Sequence, residues 1–137
     1  MFESAELGHK IDKASFRKEV PKLRADLLDV QYDVLQKREF PVVILVSGVD
    51  GSGKGETINL LYSWMDPRHI STLAFSTPTD EERERPFMWR YWRALPPKGK
   101  VGIFAGSWYS LPIAERIAST MRRSELDQRL DDINRFE

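Results

Sequence analysis

The sequence predicts an α/β fold, a parallel sheet covered by helices, and three observations carry the prediction. Three short apolar runs read as strands, helical patterns alternate with them, and the first strand ends in the glycine-rich stretch "GVDGSGKG" at 48–55. The resulting order, β–loop–α–β–α–β–α, favours parallel strands, because a helix between two strands returns the chain to the same end of the sheet.

The first helix is expected at about 21–37, where Val20, Leu23, Leu27, Val30 and Val34 recur every three or four residues and Pro21 suits a first turn. This helix reads as a layer over the core. "FPVVILVSG" then reads as a continuously buried strand, opened by Pro41 and closed by Gly48. After the glycine loop, "GETINLLYSWM" puts Ile58, Leu61 and Met65 on one face of a helix that stops before Pro67, and "HISTLAFS" is a second strand. "TPTDEERER" carries a capping box, Thr79 with Glu82, and opens a further helix whose charged run reads as a solvated face. Pro86 kinks or restarts that helix, and "PFMWRYWRAL" continues it with Met88, Trp92 and Leu95 on one side. A turn at "PPKG", a third strand at "KVGIF" and two helices, "LPIAERIASTM" and "SELDQRLDDINRF", complete the order.

A chain of 137 residues has the length of one domain, taken as 1–137, with no internal repeat or interdomain linker. Three strands fall short of the about five or six of a typical sheet, so the chain is expected to be part of a longer protein. Acidic and basic residues balance at 21 each, which gives no global field toward nucleic acid or membrane. The absence of cysteine excludes disulfides, thiolate nucleophiles and cysteine-ligated metals, and His9 and His69 stand apart from any zinc pattern. The N-terminus lacks the pattern of a secretory signal, and the longest apolar run, "VVILV", is far short of the roughly 20 residues that cross a bilayer. A soluble, cytoplasmic protein is the expectation.

The glycine loop carries the chemistry. The pattern G-x-x-x-x-G-K-[ST] cradles phosphates on backbone N–H groups, places a lysine on the outer phosphates and offers a hydroxyl to Mg²⁺. Gly48, Gly53 and Lys54 fit, with Gly51 and Ser52 between, but Gly55 stands where the hydroxyl belongs. Glycines let successive N–H groups turn inward on an anion, and the following helix adds its positive end. The plainer alternative is a glycine-rich turn that lets strand and helix pack closely. Asp50 has two readings, a turn residue bonding its own backbone or a carboxylate aimed at Mg²⁺ or the attacking group. Phosphoryl transfer also calls for a carboxylate at the end of a neighbouring strand. The run "VGIF" ends instead in Ala105 and Gly106, so the residues alone describe phosphate binding with weakened Mg²⁺ chemistry.

Five segments, "GVDGSGKGETI", "RPFMWRYWRALPPKGKVGIF", "SWY", "ER" at 115–116 and "DDINRFE", resemble the polyphosphate kinase 2 family. The resemblance runs from about residue 20 to the last residue and implies a P-loop kinase-like three-layer α/β/α fold, here truncated before the family's basic lid and last strands. It implies phosphate transfer between inorganic polyphosphate and AMP or ADP with Mg²⁺. The family loop is similar to G-x-D-x-x-G-K-G, so Gly55 is expected there. Gly48, Gly51, Ser52, Gly53, Lys54 and Gly55 would hold phosphate, while Asp50 would be the functional acid and metal ligand beside a catalytic Lys54. The departure is at "FAGSWY", where the family resembles F-D-R-S-W-Y and this chain has Ala105 and Gly106; "SLP" after the Tyr drifts as well. That combination resembles the N-terminal half of fused, two-domain polyphosphate:AMP phosphotransferases, whose C-terminal half would carry the intact site.

Two further groups have double readings. Trp89, Trp92, Arg90 and Arg93 compose either a cationic aromatic surface for nucleotide or polyphosphate, or a core face backed by solvated charge. Arg116 either reaches a phosphate or pairs with Glu115. The expected function is the phosphotransferase for the parent protein, with this chain its degenerate N-terminal part. The alternatives are a non-catalytic polyphosphate-docking or structural module and a nucleoside monophosphate kinase, against which "WRYWRALPPKG" and "SWY" argue. An open sheet edge also favours a homo-oligomer.

Overall fold

The computed structural model describes residues 10–137, and His9 lies outside the described residues. Helix α1 runs Lys13–Lys37, so it starts well ahead of the expected 21 and holds Pro21 in its interior. The start is set by Asp12, whose carboxylate accepts from the backbone N–H of Ala14 at 2.8 Å and of Ser15 at 3.0 Å. One missing N–H at Pro21 does not outweigh that cap and the packing further along. The helix ends at Arg38, whose left-handed backbone (φ 51°) turns its N–H back to Val34 O.

The remaining elements are β1 (Val42–Val46), α2 (Lys54–Trp64), a 3₁₀ turn (Pro67–His69), β2 (Ile70–Ala74), α3 (Asp80–Arg83), α4 (Trp89–Ala94), β3 (Val101–Ala105), α5 (Ser110–Ile117) and α6 (Arg123–Phe136). The sheet order is β1-β3-β2, all parallel, with Val46, Ala105 and Ala74 in line at the carboxyl edge. β3 is the central strand and its Ile103 and Phe104 are fully buried. β1, expected to be continuously buried, is only half-buried along its length. It is an outer strand, and its apolar run was read as if flanked on both sides.

Alternation along the strands separates two layers of helices. Val43, Leu45, Phe104 and, beyond β2, Phe75 face Met88, Tyr91, Trp108 and Ile133. Edge-to-face contacts join this core, with Tyr91 5.7 Å from Trp108 at 81° and Phe104 6.4 Å from Trp108 at 88°. The expected stripe Met88–Trp92–Leu95 does not form. Tyr91 is 2% exposed whereas Trp92 is 62% exposed. The helix begins afresh after Pro86, and the Tyr91 ring, wedged between Phe75 and Trp108, sets its rotation. On the opposite face, the Tyr62 hydroxyl of α2 meets Thr72 Oγ1 of β2 at 2.8 Å. Buried Gln31 then ties α1 to the end of α2, donating to Asp66 O at 2.9 Å and accepting from Asp66 N–H at 2.7 Å. The capping box forms as expected, Thr79 N–H to Glu82 Oε2 and Glu82 N–H to Thr79 Oγ1. Among the described residues no helix is long and apolar enough to cross a membrane.

Glu137 holds the two ends of the core layer together. Its Oε1 accepts from Trp108 Nε1 at 2.9 Å and from the Tyr109 hydroxyl at 2.8 Å, fastening the end of α6 to the segment behind β3. Glu137→Ala should lower unfolding free energy by about 1–2 kcal/mol, because it strands the N–H of a buried tryptophan. Urea unfolding followed by tryptophan fluorescence reads this directly.

At the amino edge of the sheet, Arg68 donates to the Asp66 carboxylate at 2.6 and 3.0 Å and holds its pKa down from 3.8 to about 2. A carboxyl with a lowered folded-state pKa contributes stability above its ordinary value and loses it as pH falls. The stability difference between the native chain and Asp66→Asn should therefore be constant above pH 3.8 and shrink as pH falls toward about 2. Acid titrations monitored by circular dichroism would show it.

Candidate functional site

β1 delivers the glycine loop to the carboxyl edge of the sheet, and α2 leaves from it. Gly53, left-handed at φ 85°, is the N-cap of α2 and provides no side-chain cap. The first backbone N–H groups of α2 are thus not capped from within the helix and face the loop. Gly51 is also left-handed, at φ 79°. A side chain at Gly48 would meet Ser52 Oγ at 2.6 Å, so the serine would have to turn away to admit one. Gly55 differs, since a Cβ there meets nothing within 4 Å. Its missing hydroxyl is not imposed by packing.

Lys54 folds its ammonium back over this loop. Nζ donates to Gly48 O at 2.7 Å and Val49 O at 2.8 Å, and lies 3.8 Å from Asp50 Oδ1. The cation is held within the loop by these two neutral acceptors. Asp50 is fully exposed and bonds no backbone group among the described residues, which leaves the turn reading without its hydrogen bond. Gly48, Asp50, Gly51, Ser52, Gly53, Lys54 and Gly55 thus share one loop. Arg116 does not join them: it sits exposed in the last turn of α5, and its side chain makes no hydrogen bond or ion pair among the described residues, to Glu115 or to the loop.

From this loop an Mg²⁺ would take one carboxylate, Asp50, with substrate phosphates and water completing its shell. Among the described residues no group of three or more metal-ligating side chains stands together. Asp50 is the loop's single carboxylate, and Gly55 and Ala105 supply neither hydroxyl nor acid.

A hydroxyl chain that sequence reasoning missed joins the loop to the next strand. Ser47 Oγ lies 3.0 Å from Ser110 Oγ, which lies 3.1 Å from Ser107 Oγ. The only signal was the pair of serines flanking "WY". Between them, Gly106 adopts φ 103° and donates its N–H to Val46 O at 2.9 Å. This bond continues the pairing of β1 with β3 one residue past the strand.

A parallel α/β sheet with a glycine loop and an unpaired helix start at its carboxyl edge defines a protein that handles ligands at that edge. The comparisons with known proteins narrow the class. Residues 10–137 match the family described as Polyphosphate kinase 2, and the chain belongs to that family. It is 52% identical over its whole length to a polyphosphate:AMP phosphotransferase of Pseudomonas aeruginosa and 44% identical to one of Pseudomonas syringae pv. tomato, spanning 28% of each relative's length. A crystal structure of Polyphosphate Kinase 2 from Arthrobacter aurescens superposes with a TM-score of 0.86 at 28% identity, over 95% of this chain and 47% of that one.

Proposed function

We propose that this chain is the N-terminal portion of a cytoplasmic polyphosphate-dependent nucleotide phosphotransferase, acting on AMP or ADP, and that it holds polyphosphate without performing transfer itself. Its loop is read as a P-loop in the Walker A sense. The observation that carries the binding half of the reading is Lys54, whose ammonium rests on two loop carbonyls at the mouth of an uncapped helix. The non-catalytic half rests on Ala105 and Gly106, which bring neither acid nor guanidinium to the end of the central strand. The rest of the parent protein, a C-terminal half with a complete site, would supply the chemistry. Open outer strands on both sides of the sheet favour assembly with further copies.

Isothermal titration with tripolyphosphate tests the reading. Saturable binding by the native chain is expected. A folded native chain that takes up no tripolyphosphate would return the loop to a simple strand–helix turn.

A further inference from the structure

We propose that α1 is an assembly surface, and that it pairs in parallel with α1 of a second copy of this chain across a two-fold axis. Apolar residues along this helix recur at alternating spacings of four and three: Phe16, Val20, Leu23, Leu27, Val30 and Val34. That is the heptad pattern of a helix that pairs with another helix.

The structure splits the stripe into two rows. Val20, Leu27 and Val34 are half-buried against the rest of the chain. Phe16, Leu23 and Val30 are 48%, 49% and 60% exposed. Arg24 and Gln31 fix this rotation, because Arg24 Nη2 donates to Ser63 O at 3.1 Å and Gln31 is bonded to the backbone of Asp66. The second row therefore cannot turn inward without breaking those bonds. The helix also outreaches the sheet: its 25 residues span about 37 Å, against about 17 Å for a five-residue strand. Single exposed apolar side chains are ordinary, whereas an exposed row in heptad register marks an interaction surface.

The charges beside the stripe say what covers it. One flank is acidic at heptad spacing, Glu19, Asp26 and Asp33, and the other carries Arg17, Arg24, Gln31 and Arg38. In a parallel pair each residue of the first flank lies beside the one five positions further on in the partner. Glu19 then meets Arg24 of the second copy, Asp33 meets Arg38, and Asp26 meets the neutral Gln31, each twice by symmetry. Arg24 gives one donor to Ser63 O and has four more to offer. An antiparallel pair would set Glu19 against Asp33, and would set Asp26 and Arg24 each against its own copy. The surface is thus self-complementary in one direction only. Since α1 is already helical and tethered in the single chain, pairing has little ordering to offset. A stripe of this length supports a dissociation constant of roughly 1–100 μM.

This inference does not depend on the phosphate reading, and its surface is separate from the strand edges. Sedimentation equilibrium of the native chain up to roughly 500 μM should show a monomer–dimer equilibrium. Leu23→Glu, at an exposed position, should keep the native melting temperature and raise the dissociation constant at least roughly 100-fold. Glu19→Arg should raise it about tenfold, and adding Arg24→Glu should recover most of that loss. Direction is read by crosslinking, which the absence of cysteine makes clean. Lys13→Cys leaves the apolar stripe intact and places one thiol at its start. Mild oxidation should join two such chains, whereas an antiparallel pair would hold the thiols about 36 Å apart. A chain that stays monomeric throughout would overturn the proposal. So would a dimer indifferent to Leu23→Glu, which would return assembly to the strand edges, or Lys13→Cys dimers that do not crosslink.

Discussion

Lys54→Ala is expected to weaken tripolyphosphate binding by roughly 10- to 100-fold, while changing the melting temperature little. The size follows from hydrogen bonds between a cation and a phosphate, worth about 1.5–3 kcal/mol each way one counts them by mutation. In the free chain the Lys54 ammonium already has two carbonyl partners, so the net gain on binding is the difference between neutral acceptors and a charged one. Stability is nearly untouched because the carbonyls of Gly48 and Val49 belong to exposed loop residues that water can reach once the lysine is gone. Lys54→Arg should retain part of the affinity, since charge survives but the short reach into the loop does not. Calorimetry at low and moderate salt checks the sign as well, because an exposed charge interaction weakens with ionic strength. Equal affinity of Lys54→Ala and the native chain would show that the backbone cradle works without its cation, or that the anion binds elsewhere.

Gly106→Arg is expected to cost roughly 1–3 kcal/mol of folding stability, although arginine is what the family pattern places there. The backbone at Gly106 has φ 103°, and a Cβ would lie 3.0 Å from the carbonyl oxygen of Phe75. That oxygen cannot retreat easily. Phe75 donates its N–H to Ala105 O at 2.9 Å, and its ring is packed against Tyr91 and Phe104 at 4.6 and 4.9 Å. Ala105→Asp, at the half-buried end of β3 with ordinary strand geometry, should be tolerated much better. The pair found in the family pattern is therefore not restored by two side chains alone; the arginine requires a different backbone path after β3. Urea unfolding of both single variants and the double variant decides this. A Gly106→Arg variant as stable as the native chain would mean that the loop after β3 repacks freely and that the difference from the family pattern is only a matter of side chains.

The alternation of strands and helices was legible because each element carried its own local signal: β-branched runs for the strands, Thr79 with Glu82 for α3, proline breaks at Pro67 and Pro86. The glycine loop was legible for the same reason, being contiguous in sequence. What stayed hidden was set by tertiary neighbours. The early start of α1 depends on Asp12, whose capping role competes with an equally ordinary reading as a loop residue. The half-burial of β1 depends on which strand lies beside it. The inward rotation of Tyr91 in place of Trp92 depends on where Phe75 and Trp108 arrive from distant parts of the chain. The serine chain through Ser47, Ser107 and Ser110 joins residues that only the parallel pairing of β1 with β3 brings together.

The central place of β3 also governs the order in which the sheet can be assembled. Among the described residues β1 and β2 do not pair with each other; each pairs only with β3, which comes last of the three in sequence. A chain emerging from the ribosome carries "VVILV" and "ISTLA" without a strand partner until residues 101–105 are made. All strand pairing is thus non-local and deferred, which slows folding and lengthens the interval in which an apolar segment without charge is exposed to other chains. The burden of avoiding misassembly in that interval falls on α1 and α2, the elements already synthesised that can cover β1 on one face.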